Sequence, residues 1–192
     1  TAAAALLAVE QEGSYSNLVL EPWFRREKLS PQDRAFCSAL FYGVLERRIT
    51  LDWVLDRYSR TPVRKLEPEI RAALRLGALQ LTAFSSVPAA AAVSESVEVV
   101  RALGKGKAAG LVNGVLRAML RGNCAAPPPK DKLTALSVAY SVPAPLIQLW
   151  RRSYGHDTAL EILGGTRGPA PIFARVNTVK ITTAALRERL AS

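Results

Sequence analysis

The chain has one histidine, two cysteines and one methionine among its 192 residues, and these scarcities exclude several chemistries at the outset. With His156 alone and no cysteine pair at ligand spacing, a structural zinc site cannot be assembled. Cys37 and Cys124 give no disulfide framework, and two cysteines fit a reducing cytoplasm. The longest apolar runs, such as residues 87–93, are interrupted by Pro or polar residues and fall short of the roughly 18 residues that a membrane span requires. No secretory leader precedes the first helical stretch, although Thr1 reads as an arbitrary start. The expectation is a soluble cytoplasmic chain with no metal and no membrane partner. Its hydrophobic share of 49% is too high for a disordered one.

What the chain does have is positive charge. Its formal net charge of +10 attracts phosphate backbones first, and membrane surfaces or acidic proteins are weaker alternatives. The excess is even along the chain. Residues 1–122 carry 17 basic and 12 acidic side chains, residues 123–192 carry 9 and 4, and each part is therefore +5.

Helical periodicity dominates residues 1–122. Helices are predicted over 2–12, stopped by Gly13, and over 17–28. Ser30-Pro31 with Asp33 is a helix start, with a cap, a proline at the first position and a carboxylate facing free amides. The following stripe of Phe36, Cys37, Leu40, Phe41, Val44 and Leu45 resumes at Leu51, Val54, Leu55 and Tyr58, with a break expected near Ile49-Thr50. A helix over 67–84 buries Ile70, Ala73, Leu74, Gly77, Ala78, Leu81 and Phe84, and Gly77 on that stripe predicts close helix packing. Pro88 opens a helix carrying Val93, Val97 and Val100 inward to Gly104. The last of the set, over 107–121, has Leu111, Val112, Val115, Leu116, Met119 and Leu120 on its apolar face. Together they make an all-α bundle.

A domain boundary is expected at residues 123–130, where Pro127-Pro128-Pro129 stiffens a linker. Beyond it, residues 131–192 read as short helices over 132–140, 145–154 and 158–163, a strand over 172–178 and a helix over 183–190. A strand with nothing to pair with reads as an α/β unit that is incomplete in this chain.

No catalytic constellation emerges. His156 sits in a polar turn beside Asp157, Cys37 lies on a buried stripe, and Cys124 has no base beside it. Gly104-Lys105-Gly106-Lys107 precedes a helix and suits a phosphate contact, yet it lacks P-loop spacing and a preceding strand. No acidic residue lies between positions 99 and 129, where Arg101, Lys105, Lys107, Arg117 and Arg121 occur. Asn113, Arg117 and Arg121 recur every four residues and share a helix face opposite the apolar stripe. These six are the principal RNA-binding candidates. Arg25, Arg26 and Arg34, next to Trp23 and Phe24, are a second set, since aromatics beside arginines suit unpaired bases. Arg57, Arg60, Arg64, Lys65, Arg71 and Arg75, diluted by Glu67 and Glu69, read as a mixed solvated face.

Several motifs then fall into a specific order. These are Tyr15-Ser16-Asn17, Asp33-Arg34-Ala35-Phe36 leading to Tyr42-Gly43-Val44-Leu45, and Leu51-Asp52. They continue with the run from Leu74 to Leu81, Val87-Pro88 with Glu95-Ser96-Val97-Glu98, and the run from Gly110 to Arg117. In this order residues 1–122 resemble the NusB-like RNA-binding fold. That domain occurs as a free transcription antitermination factor and as the front of bacterial ribosomal RNA small-subunit 5-methylcytosine methyltransferases of the RsmB/Sun/Fmu type. Ser141-Val142-Pro143, Leu149-Trp150, Tyr154-Gly155 and Arg175-Val176-Asn177-Thr178 resemble the segment leading into the methyltransferase module, although no His precedes Pro143. The resemblance implies S-adenosylmethionine as methyl donor and a cysteine that attacks cytosine for transfer to carbon 5. It places the glycine-rich donor loop and the Pro-Cys motif after residue 192. The chain alone is then expected to hold 16S-type ribosomal RNA without catalysis and without a cofactor of its own. A ribosomal protein is the second partner that such domains imply.

Overall fold

The structure is a computed structural model that describes residues 1–166, 168 and 173–191. Among the described residues there are eleven α-helices and no β-strand. They are α1 (Ala2–Glu12), α2 (Ser16–Glu27), α3 (Pro31–Glu46), α4 (Arg48–Tyr58), α5 (Pro68–Ala83), α6 (Ala89–Ala102), α7 (Ala109–Arg121), α8 (Lys132–Tyr140), α9 (Ala144–Tyr154), α10 (His156–Gly165) and α11 (Thr183–Ala191).

The predicted stops and starts act as their chemistry dictates. Gly13 closes α1 at φ 67°, a left-handed conformation that costs glycine little. Ser30 caps α3 by accepting the Asp33 amide at 3.1 Å, while its hydroxyl donates to the Asp33 carboxylate at 2.6 Å. Asp131 does the same for α8, accepting from the Thr134 amide at 2.7 Å. The break between α3 and α4 falls at Arg47, two residues before the predicted site. Arg47 leaves helical geometry at φ −109° and serves as the end of one helix and the start of the next.

The core of residues 1–122 is built around α5, whose residues 72–80 are all buried. Helices α1, α3, α4, α6 and α7 surround it. Gly77 permits the closest approach, because a Cβ there would fall 2.5 Å from both the Ser96 hydroxyl and a Leu116 methyl. Phe41, Val44, Leu55, Leu74, Leu79, Val100, Val112, Leu116 and Met119 are almost wholly removed from water.

Three predictions about faces need correction. Phe36 is 42% exposed and meets Phe84 edge-on at 5.8 Å, because it sits at the margin of the α3 stripe. Leu111 and Leu120 are likewise 38% and 39% exposed, since α7 buries only the narrower set Val112, Val115, Leu116 and Met119. The third concerns Arg71 and Arg75, which do not belong to a solvated face. Arg75 is 7% exposed and donates twice to Asp52 of α4, at 2.7 and 2.8 Å, and once to Glu10 of α1 at 3.3 Å. Arg71 donates to Glu10 at 2.7 Å and to the Leu66 carbonyl at 2.8 Å. The central position of α5 turns these charges inward, where only paired ions are tolerated.

A second, smaller core follows, made by Val142, Ile147 and Leu163 with Leu133, Leu136, Tyr140, Trp150 and Leu160 packed on it. It is tied to the bundle through α4. The Trp53 indole donates to the Pro127 carbonyl at 2.9 Å, and the Tyr58 hydroxyl lies 2.5 Å from the Ala125 carbonyl and 3.1 Å from that of Gly122. Thr50 donates to the Val138 carbonyl at 2.5 Å, and the Ser141 hydroxyl accepts from the Ile49 amide at 3.1 Å. The segment entering the proline stretch is thus strapped along α4, where Trp53 and Tyr58 donate to the carbonyls of Gly122, Ala125 and Pro127.

The predicted strand over 172–178 is not formed in its described part. Ile172 lies outside the described residues, and residues 173–177 have no regular structure before a turn at 178–180. A lone extended segment has no ladder to join, and Phe173 and Val179 are almost fully exposed.

Candidate nucleic-acid interface

Helices α6 and α7 pack side by side, joined by a tight turn over residues 104–108 that reverses the chain. Gly104 takes φ 78°, which explains the glycine there. The amides of Gly104, Lys105 and Ala108 are bonded to the carbonyls of Arg101, Val100 and Lys105. The turn is therefore largely closed on itself, and its contribution to an anion site rests on side-chain charge more than on free amides.

Between the two helices runs a groove of about 480 Å³. Its apolar lining comes from Ala90, Val93 and Val97 of α6 and from Ala109, Gly110 and Leu120 of α7; of these Val93 is buried, whereas Ala90, Gly110 and Leu120 are exposed. Its polar rim consists of Ser94, Glu98, Arg101, Asn113 and Arg117. Three of the six principal candidates, Arg101, Asn113 and Arg117, are brought together here. Asn113 accepts from the Arg117 Nε–H at 2.9 Å, which fixes the guanidinium along the groove edge and leaves the amide N–H groups of Asn113 available. Lys105, Lys107 and Arg121 do not line the groove. Lys105 and Lys107 stand on the connecting turn, and Arg121 at the far end of α7.

The acid-free stretch of sequence is not acid-free in space. Glu98, one residue before that stretch, pairs with Arg101 at 2.6 Å. Glu67, at the start of α5, pairs with Lys105, and this hydrogen bond, reinforced by the charges of Glu67 and Glu69, holds the ammonium above its ordinary pKa. Both pairs are solvent-accessible and hence weak. They temper the positive field without cancelling it, because Lys107, Arg117 and Arg121 have no ion pair among the described residues.

Arg25, Arg26 and Arg34 form a separate group on α2 and α3. Arg25 pairs with Glu21 at 3.0 Å and Arg26 with Glu27 at 2.9 Å. Arg26 also lies 3.9 Å over the Trp23 ring, so the face of the indole is already covered by a cation. Arg34 donates to the Leu29 carbonyl at 3.1 Å and faces Phe24, which is buried.

Sequence reasoning missed the groove itself and the roles of Ser94, Glu98 and Glu67. Helical spacing places Ser94, Val97, Glu98 and Arg101 on one face of α6, and that signal was present. Neither cysteine is activated, since burial pushes both thiols above their usual pKa. Among the described residues no three His, Cys, Asp or Glu side chains are grouped to hold a metal ion, and no single helix is long and apolar enough to cross a membrane.

Comparisons with known proteins bear on both parts of the chain. A probable ribosomal RNA small subunit methyltransferase B of Bacillus subtilis (strain 168) is 33% identical over 189 residues, covering 98% of this chain and 42% of that protein. The corresponding protein of Synechocystis is 29% identical over 95% of this chain and 41% of its own length. The ribosomal RNA small subunit methyltransferase B of Escherichia coli O1:K1 is 27% identical over 92% and 39%. The chain thus spans about two fifths of the length of these curated relatives, matching an N-terminal part. Among solved structures, the crystal structure of PH0851 shares the fold with a TM-score of 0.70 at 17% identity, over 99% of this chain and 44% of that one. The NusB family model matches residues 1–121, the stretch that folds around α5 and carries the α6/α7 groove, and the chain belongs to the NusB family.

Proposed function

We propose that this chain is the RNA-holding N-terminal portion of an S-adenosylmethionine-dependent ribosomal RNA (cytosine-5-)-methyltransferase acting in the cytoplasm. In this reading residues 1–122 are the RNA-binding domain, 123–130 the connection, and 131–192 the beginning of the methyltransferase module. Phosphates of a 16S-type ribosomal RNA are neutralised by Arg101, Lys105, Lys107, Arg117 and Arg121, with Asn113 as a hydrogen-bond donor and Arg25, Arg26 and Arg34 as a secondary set. A ribosomal protein is a further partner in the same complex.

The observation that carries the reading is the α6/α7 groove, where Arg101, Asn113 and Arg117 come together, with Lys105 and Lys107 on the turn joining the two helices and Arg121 at the end of α7. The relatives' match across residues beyond 121 favours the methyltransferase reading over a free antitermination factor. The described residues do not fit the methyl donor, because they contain no strand for a glycine-rich donor loop to follow. Binding and orienting RNA is therefore this chain's share of the work, and covalent chemistry falls to the module beyond it.

The purified chain is expected to retain small-subunit ribosomal RNA on a filter more tightly than an unrelated RNA of equal length. It is expected to transfer no label from methyl-labelled donor. Equal retention of both RNAs, or measurable transfer, would contradict the assignment.

A further inference from the structure

Resting on the RNA-binding reading, we propose that the α6/α7 groove is a seat for one unpaired base of the bound RNA, so that this face reads single strands and not only phosphate charge. A surface that merely attracts phosphates needs no concavity and no apolar floor. This one has both, with Val93 and Val97 beneath the rim and a volume of about 480 Å³, within the range of roughly 300–1,000 Å³ typical of small-ligand sites.

Charge complementarity selects the occupant. Arg101 and Arg117 stand on opposite walls, one from each helix, and planar guanidinium groups both pair with phosphates and stack on bases. Asn113 spends its carbonyl on Arg117 and keeps its amide N–H groups for an incoming acceptor. Glu98, paired with Arg101, is the one carboxylate on the rim, and it leaves the groove with a net positive charge. A base carrying ring carbonyls matches donors in this arrangement, and its flanking phosphates match the arginines. A duplex presents its bases stacked and cannot place one on the floor.

Gly110 sharpens the idea into a test. It lines the groove on α7, is exposed, and a Cβ built there meets nothing within 4 Å, so the fold accepts a side chain at this position and a leucine would take up space at the groove. Gly114, on the same helix, is equally unobstructed but does not line the groove. Gly110→Leu and Gly114→Leu both improve helix propensity, so neither is expected to unfold the chain.

The binding of a fluorescently labelled unstructured RNA oligomer, and of the same oligomer annealed to its complement, is measured by anisotropy at one salt concentration. Gly110→Leu is expected to weaken single-strand binding by roughly tenfold, in keeping with the loss of one seated base. Duplex binding is expected to stay within about twofold of wild type, since its phosphate contacts persist, and Gly114→Leu is expected to match wild type on both RNAs. If Gly110→Leu binds the single strand as tightly as wild type, the base seat is overturned while the RNA-binding reading stands. If both RNAs weaken equally in Gly110→Leu, the groove holds backbone only and the proposal fails. If wild type binds neither RNA, the underlying reading falls and the seat with it.

Discussion

Replacing Asp52 by alanine should expose how the bundle handles charge in its interior. In the native chain Asp52 receives two hydrogen bonds from Arg75, whose side chain is 9% exposed, while Asp52 itself is 29% exposed and Glu10 25%. Burial by itself would lower the guanidinium pKa, but the hydrogen bond and charge of Asp52, helped by Glu10, raise it above its ordinary value. A guanidinium does not lose its proton at neutral pH even without that partner, so Arg75 stays charged in Asp52→Ala, with two of its N–H groups unsatisfied. Breaking a buried pair in this way costs about 3–5 kcal/mol. Glu10 remains 3.3 Å from Arg75, and this partial compensation brings the expected cost below that range, to about 2–3 kcal/mol. Urea denaturation followed by far-ultraviolet circular dichroism, with a slope of about 2 kcal/mol per molar, should show the midpoint falling by about 1–1.5 M. Arg75→Met should be milder, about 1 kcal/mol, because it removes the buried charge and leaves two carboxylates that water can reach. If Asp52→Ala lies within about 0.5 kcal/mol of wild type, or if Arg75→Met is the worse variant, the stranded-charge reasoning is refuted.

Gly77→Ala should destabilise by about 1–2 kcal/mol in the same assay, because overpacking against Leu116 and Ser96 outweighs the helix-propensity gain. Gly114→Ala, with open space around it, should instead stabilise by about 0.5–1 kcal/mol. Asp131 is held below its ordinary pKa by the Thr134 amide and hydroxyl. Its contribution to α8 is present above the usual carboxylate pKa and is lost as pH falls through the depressed folded value, so the protection of the Thr134 amide against exchange, corrected for its intrinsic rate, should fall on acidification more than that of residues within α5. Glu67→Gln should release Lys105 and tighten RNA binding severalfold at low salt, an effect that fades as salt screens the surface; unchanged or weaker binding would remove Lys105 from the interface.

Much of the bundle was legible because local chemistry determined it. Ser30-Pro31-Asp33 starts a helix wherever the remainder lies, Gly13 stops one, and Gly77 on an apolar stripe announces a close crossing. What escaped was set by tertiary geometry. Glu67 is 38 residues from Lys105 in sequence, and no local pattern reveals that folding brings its carboxylate onto the basic turn. Arg75 carries the composition of a surface residue, but α5 is enclosed on all sides and the charge must be paired. Phe36, Leu111 and Leu120 follow the correct period and still lie at stripe margins, where a few tens of degrees separate core from solvent. The strand reading over 172–178 failed in its described part because extended propensity is not expressed without a neighbouring strand.

The central claim is that this basic face holds RNA through phosphate neutralisation, and the salt dependence of binding tests it most directly. Affinity for small-subunit ribosomal RNA is measured at several salt concentrations for wild type and for the chain with Lys105, Lys107, Arg117 and Arg121 all replaced by alanine. Each phosphate neutralised on a single strand contributes a slope of about 0.7 in log affinity against log salt. The fourfold variant should bind more weakly at low salt and lose a slope of about 2–3. An unchanged slope with unchanged affinity would contradict the account and move the RNA to another face.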